Sequence, residues 1–365
     1  MDERKDGSLQ KADLMSMYYA ELENLLLEMG EKKFRGSQIF DWIHKKHARS
    51  FADMTNLPAA LRDRLGSLCA YGLPKQVTVQ ESAIDGTRKY LFEFSDGQQV
   101  ESVFMRYHHG NSVCISSQAG CRMGCRFCAS TLNGLARNLT AGEMLSQIYC
   151  IEEDIGERIS NIVIMGTGEP FDNYDGVLRF LHLIHDERGA GVSMRNLTVS
   201  TCGVVPGILR FAKENLPVTL ALSLHAPTQK KRERLMPVAR KYPLDQVMDA
   251  CEQYYKSTGR RVTFEYSLIA GENDSAQDAQ ELHRLLGGKN CHVNLIPVNP
   301  VEERTYSAPD MKAVRSFKNK LENYGINVTI RREMGRDIDG ACGQLRKRYA
   351  DQADYGTRSQ NRIRS

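Results

Sequence analysis

The sequence predicts an α/β protein. Its main part is a partial or complete barrel of strand–helix units, preceded by a small helical segment and a short β-extension. Three observations carry that prediction. From about residue 112 onward short β-rich runs recur: SVCISSQ (112–118), NIVIMG (161–166), LTVSTCG (197–203), VTLALSLH (218–225), VTFEYSLI (262–269), HVNLIPV (292–298) and NVTIRRE (327–333). Most gaps between them hold a helical pattern, as at 141–153, 176–185, 244–255 and 278–286. Strands that alternate with helices argue for βα units and a parallel sheet. Upstream, three alternating runs (76–83, 88–94, 99–106) are broken at Asp85-Gly86 and Asp96-Gly97, which are hairpin signals.

Taken in order, residues 1–75 read as a helical accessory domain. In FRGSQIFDWIHKKH the apolar residues Phe34, Ile39, Phe40 and Ile43 fall roughly on one helical stripe, and 57–68 repeats the pattern. Lys32, Lys33, Arg35, Lys45, Lys46 and Arg49 give this segment a basic edge around the single Trp42, which reads as a core residue. Residues 76–106 form the hairpin extension and 107–340 the barrel. The strands of such a barrel are expected to read as apolar runs, and NIVIMG and VTLALSL do. Residues 341–365 close the chain with a basic tail.

Hydrophobic residues make up 41% and charged residues 26% of the 365, the balance of a water-soluble globular protein. No apolar run approaches the ~20 residues of a membrane span. The opening MDERKDGSLQKADLM carries acids where a secretory leader is apolar, so a cytoplasmic location is expected. The formal charge of +4 matches the excess within the last 20 residues, where Arg346, Lys347, Arg348, Arg358, Arg362 and Arg364 face only Asp351 and Asp354. Such a tail suits a phosphate-backbone partner.

Ten cysteines in a chain of this kind point to metal binding or chemistry rather than to disulfide staples. Cys69, Cys150, Cys251 and Cys291 are isolated and read as small core residues. Cys121, Cys125 and Cys128 are different, set as C-x3-C-x2-C within GCRMGCRFCAS. Two readings fit that spacing. With Cys114 as a fourth ligand it would be a structural zinc site. With three thiolates only, it would be a [4Fe–4S] cluster with one open iron.

Other residues gather at strand C-termini, the face on which barrels of this class carry their sites. Gly168 and Glu169 follow NIVIM, Ser200 ends LTVS, Ser223, Leu224 and His225 end VTLALSLH, and Asn299 follows HVNLIPV. The glycines let backbone approach a ligand closely, and Glu169 can accept hydrogen bonds from an ammonium group.

CRMGCRFC resembles the cluster motif of the radical S-adenosylmethionine superfamily, and MGTGEP resembles the motif that binds the amino group of that cofactor. Together VCISSQAGCRMGCRFCAS, MGTGEPFDN, SLHAP, IPVNP and DIDGACGQL resemble the bacterial adenine-C2 methyltransferases of 23S rRNA and tRNA. The likeness covers nearly the whole chain. It implies a partial (β/α)6 barrel, a [4Fe–4S] cluster on Cys121, Cys125 and Cys128, and S-adenosylmethionine held by Gly168, Glu169, Ser200, Ser223, Leu224, His225 and Asn299. It further implies two S-adenosylmethionine molecules per turnover. One methylates Cys342, in GACGQL. The other supplies a 5′-deoxyadenosyl radical that draws hydrogen from that S-methyl group, so that a carbon radical adds to the electron-poor C2. Cys114 matches the cysteine that breaks the resulting protein–RNA link, leaving a transient disulfide with Cys342. Glu101 matches the proposed proton acceptor.

The partners implied are the peptidyl-transferase region of 23S rRNA, the adenosine 3′ to the anticodon of tRNA, and a reductase donor such as flavodoxin, with the enzyme a monomer. Lys32–Arg49, Arg331-Arg332 and Arg346–Arg348 are candidate phosphate contacts. MGTGEPFDN, with Pro170 after Glu169, resembles the C2 branch rather than the antibiotic-resistance branch that methylates C8. A zinc-stabilised RNA-binding protein without catalysis is the alternative of another class. It would be colourless and use Cys114 as a metal ligand.

Overall fold

The structure, a computed structural model, describes residues 11–108, 110–301, 303–338 and Leu345. They fall into two compact units, built from interleaved stretches of chain.

The first unit takes the described residues up to Pro74, together with Thr140–Glu157 and Leu178–Val192. Its helices are α1 (Tyr19–Glu28), α2 (Phe34–His44), α3 (Ala59–Leu68), α4 (Ala141–Ile155) and the later part of α5 (Tyr174–His185). Leu22 and Leu26 of α1, Ile39, Phe40 and Ile43 of α2, and Leu61 and Leu65 of α3 are buried. Phe34 departs from the expected stripe. It opens α2, is 51% exposed, and lies under the Arg35 guanidinium. Trp42 is not a core residue either. It is half-buried, donates from Nε1 to Asn56 Oδ1 (2.6 Å), and carries Lys46 Nζ 4.2 Å from its ring. A polar ring nitrogen and a neighbouring cation favour the boundary over the interior. Helix α4 starts on a capping box in which Thr140 and Glu143 satisfy one another's backbone N–H groups, and it stops at Gly156 in the left-handed conformation.

The second unit holds Lys75–Leu139, Arg158–Val177 and the chain from Ser193. One ten-stranded sheet runs through it. Its strands, numbered within this sheet, are β1 (Lys75–Glu81), β2 (Arg88–Glu93), β3 (Gln99–Tyr107), β4 (Gly110–Ile115), β5 (Asn161–Ile164), β6 (Leu197–Thr201), β7 (Thr219–Ser223), β8 (Val262–Leu268), β9 (Cys291–Pro297) and β10 (Val328–Ile330). Spatial order follows chain order from β1 to β10. Neighbours from β1 to β4 are antiparallel and those from β4 to β10 parallel. The seven runs expected from the sequence fall on β4 to β10. The hairpin extension continues the same sheet, with Val103 paired to Cys114 across β3 and β4. Helices α6 (Val205–Glu214), α7 (Gln229–Leu235), α8 (Leu244–Thr258), α9 (Ala276–Leu286) and α10 (Met311–Asn323) connect the parallel strands.

Several parallel strands do not read as buried on both faces. In β6 Leu197, Val199 and Thr201 are buried, whereas Thr198 and Ser200 are half-buried. In β9 Cys291, Val293 and Leu295 alternate in the same way with His292, Asn294 and Ile296. The register aligns Ser223, Glu265, Asn294 and Thr329 across four strands. An unclosed barrel leaves one face of its sheet open to ligand and solvent. That face is polar, and the strands alternate where a closed barrel would have apolar runs.

Candidate active site

The strand ends of the second unit surround a cavity of about 260 Å3. Its wall includes Cys121, Cys125 and Cys128, and also Gly168, Glu169, Ser200, Ser223, His225 and Asn299. The structure thus brings together every residue singled out for cluster and cofactor except Leu224. That side chain is fully buried, and its backbone N–H donates to Glu265 O (3.0 Å).

Local chemistry explains how each group is held. The chain approaches itself closely after β5. Gly166 N donates to Ile115 O (3.0 Å), and a Cβ on Gly166 would lie 2.7 Å from that oxygen. Gly168 adopts φ +113°, and a Cβ there would lie 2.7 Å from Gln118 Cβ. Only glycine fits both demands. Glu169 follows directly and is buried. Its Oε2 accepts from Cys202 N (2.7 Å), its Oε1 from Phe171 N (3.1 Å), and its own N–H donates to Gln118 Oε1 (2.8 Å). Burial raises its pKa, and the two backbone N–H groups work against that rise. Two fixed bonds orient the carboxylate and leave lone pairs for a further donor.

Ser200 and Ser223 sit side by side, Oγ to Oγ 3.5 Å, on neighbouring strands. His225 has φ +54°, unusual for a residue with a side chain. Its Nδ1 accepts from Ser267 N (2.9 Å), and Asn273 Nδ2 donates to its carbonyl (2.8 Å). Burial, with the nearby Arg232 charge, lowers its pKa to about 3. The ring is therefore neutral, with its proton on Nε2 as a fixed donor. Phe127 packs edge-on against it at 4.9 Å.

After burial as the main cause, Cys128 disfavours ionisation of both Cys121 and Cys125, and Cys121 adds to the effect on Cys125. Cys121 is pushed up to about 12 and Cys125 well above its ordinary value. Such thiols become thiolates only against a metal centre. Among the described residues no three His, Cys, Asp or Glu side chains converge as ligands of a single metal ion. Three thiols on the wall of one cavity are the donor type that an iron–sulfur cluster takes. Arg122, beside Cys121, is ion-paired with Asp172 and is exposed; Arg126 is exposed as well.

Cys114 is not part of this wall. It lies on β4, buried with Val103 and Met105, and lines a second cavity of about 790 Å3. Ile296, Val298 and Asn299 line both cavities. The segment Ile330–Arg336 with Ile338 lines the second, bringing Arg331, Arg332 and Arg336 to it. That segment is fastened to the β1–β2 turn. Asp337 accepts from Ser82 Oγ (2.5 Å) and Ala83 N (2.8 Å), and Gly335 N donates to Asp85 Oδ2 (3.0 Å). Glu101 is buried on β3 and ion-paired with the fully buried Lys89 at 3.0 Å. Cys342 and Arg346–Arg348 lie outside the described residues. Sequence reasoning missed Gln118, Cys202, Ser267, Asn273 and Arg232, whose roles depend on strand neighbours remote in the chain.

A cysteine-lined pocket at the strand ends of an open α/β barrel defines the class: a radical S-adenosylmethionine enzyme. The model of the radical SAM superfamily matches residues 115–286, and that of the ribosomal RNA large subunit methyltransferase N-terminal domain matches residues 12–70. The superfamily implies a [4Fe–4S] cluster and S-adenosylmethionine, and the thiols and rim described above fit both. The chain is 56% identical to a probable dual-specificity RNA methyltransferase RlmN of Lachnospira eligens, over 94% of this chain and 98% of the relative. It is 56% identical to the protein so described in Lachnoclostridium phytofermentans, over 94% and 96%. A crystal structure of a radical SAM methyltransferase from Sphaerobacter thermophilus matches with a TM-score of 0.88 at 43% identity, covering 91% of this chain and 98% of that one. The chain belongs to the RlmN family of radical SAM methyltransferases. Among the described residues no helix is long and apolar enough to cross a membrane.

Proposed function

We propose that this protein methylates C2 of one adenosine in the peptidyl-transferase region of 23S rRNA and of the adenosine 3′ to the anticodon in tRNA. The carrying observation is the pair of adjoining cavities, one walled by three thiols and the other by Cys114 and arginines, with Ile296, Val298 and Asn299 common to both. The cluster and S-adenosylmethionine, when bound, supply the 5′-deoxyadenosyl radical.

The chain's own residues divide the remaining work. Cys121, Cys125 and Cys128 hold the cluster and leave one iron open. Glu169 accepts hydrogen bonds from the cofactor's ammonium group, while Gly168, Ser200, Ser223, His225 and Asn299 shape its seat, and Leu224 backs it from the core. Cys342 carries the methyl group, taken from a first S-adenosylmethionine, with a second consumed per turnover. It lies four residues beyond Ile338, which lines the Cys114 cavity. Cys114 attacks the Cys342 sulfur to release the RNA, leaving a disulfide for reduction. Glu101, beside Lys89, accepts the C2 proton. An adenosine splayed from single-stranded RNA reaches this cavity, with Arg331, Arg332 and Arg336 meeting its phosphates. The enzyme works as a cytoplasmic monomer supplied with electrons by a donor of the flavodoxin type.

The test is mass spectrometry of nucleosides from 23S rRNA and tRNA incubated with anaerobically reconstituted protein, S-adenosylmethionine and reductant, in wild type and Cys342→Ala. We expect 2-methyladenosine from wild type alone. The 8-methyl isomer would overturn the regiochemistry, and equal product from both proteins would overturn the carrier.

A further inference from the structure

Arg232, on α7, heads the fully buried side chains of the described residues in size. Among the described residues it has no carboxylate partner. Its Nη2 donates to Cys202 O (2.6 Å) and Ser223 O (3.3 Å), and its Nε to Leu224 O (3.3 Å). Its Nη1 has no acceptor among the described residues. Gly203 leaves room for it, since a Cβ there would lie 3.1 Å from Nη2. Carbonyl dipoles only partly compensate a cation removed from water. Burial accordingly lowers its pKa, and what opposes that is the nearby sulfur of Cys202, Cys125 and Cys251.

Two links join Arg232 to the cluster loop. Leu235 O, three residues on, accepts from Arg126 N (2.9 Å), and Leu235 and Met236 pack in one apolar cluster with Cys125 and Cys202. Its three carbonyl acceptors lie at or just beyond the ends of β6 and β7, which carry Ser200 and Ser223. A surface arginine would be satisfied by water. Among the described residues this one has only carbonyl acceptors, with the sulfur of Cys125 and Cys202 nearby. A cluster held by three thiolates carries net negative charge, which grows by one on reduction.

We infer that Arg232 is a positioning residue of the cluster site: its fixed charge offsets the thiolate-held cluster and raises its reduction potential, while its fork ties the ends of β6 and β7. The inference rests on the reading that Cys121, Cys125 and Cys128 hold the cluster. Potential is sensitive to net charge and burial around such a centre.

The test compares wild type, Arg232→Gln and Arg232→Lys, each anaerobically reconstituted, by iron content and by dithionite titration followed by electron paramagnetic resonance. We expect Arg232→Gln to move to a more negative potential and Arg232→Lys, which keeps the charge, to stay close to wild type. Arg232→Gln failing to take up iron while Arg232→Lys succeeds also supports the charge role. A loaded Arg232→Gln at the wild-type potential would overturn it. So would equal shifts in both variants, or loss of iron from both, since each points to the fork and not the charge. Wild type without iron would sink the cluster reading itself, a failure visible before any variant is compared.

Discussion

The two cavities of the second unit adjoin one another but are built differently. The smaller is walled by buried thiols, a buried carboxylate fixed by backbone N–H groups, and a neutral histidine in a left-handed conformation. The larger is walled by aliphatic side chains around Cys114 and by Arg331, Arg332 and Arg336. In the first, Glu169 and His225 are fixed by backbone N–H groups. The second is bounded by the segment that leaves β10, held at its near end by Arg331 N donating to Leu295 O (2.8 Å) and at its far end through Asp337 and Gly335. A pocket for a small cofactor benefits from fixed donors and acceptors. A pocket that receives an RNA base and a carrier cysteine in turn has to admit movement.

Replacing one thiol in each cavity tests that division with the largest effects. Cys125→Ala is expected to lose the cluster and to drop methylation below detection, read by iron content and nucleoside mass spectrometry. Cys114→Ala is expected to keep its iron yet accumulate a covalent protein–RNA adduct, visible as a shifted band on a denaturing gel. Loss of iron from Cys114→Ala would erase the distinction and revive the four-cysteine metal site. Next comes Glu169→Gln. Removing the charge from a buried acceptor of an ammonium group costs about 1.5–3 kcal/mol, so S-adenosylmethionine should bind roughly 10–150-fold more weakly with iron retained. Unchanged affinity by calorimetry would remove Glu169 from the cofactor site.

Acid separates the cavities too. No histidine lines the larger one among the described residues, whereas His225 lines the smaller. Its folded pKa of about 3 lies below the ordinary 6.5. The stabilisation from keeping it neutral is therefore complete above about 6.5 and is lost as pH falls toward 3. His44, buried against Tyr149 in the first unit, has the same depressed value of about 3. Each should cost up to about 2 kcal/mol of stability at pH 5. Urea unfolding of the apoprotein at pH 7.5 and 5.0 measures this, and equal stability at both would contradict it. The smallest effect is expected at the mouth of the larger cavity. Arg332→Ala should weaken RNA binding a few-fold, reduce the salt slope by about 1, and leave iron and cofactor affinity unchanged.

By itself the sequence determined the element rhythm and the class of enzyme. Alternating βα runs mark β4 to β10, Asp-Gly pairs mark the hairpins, and C-x3-C-x2-C with MGTGEP marks residues that line the smaller cavity. These signals are legible because each lies within a few residues of chain, where turn chemistry and period act directly. Tertiary structure decided what depends on neighbours distant in sequence. It put Glu101 against Lys89, turned Trp42 toward the surface, gave Cys114 a cavity apart from the other three thiols, and enclosed Arg232 among carbonyls of two strand ends. It also made strands alternate that were expected to be apolar runs, because an unclosed sheet has one polar, ligand-facing side. Burial and charge pairing are sums over the whole fold, and no local pattern encodes them.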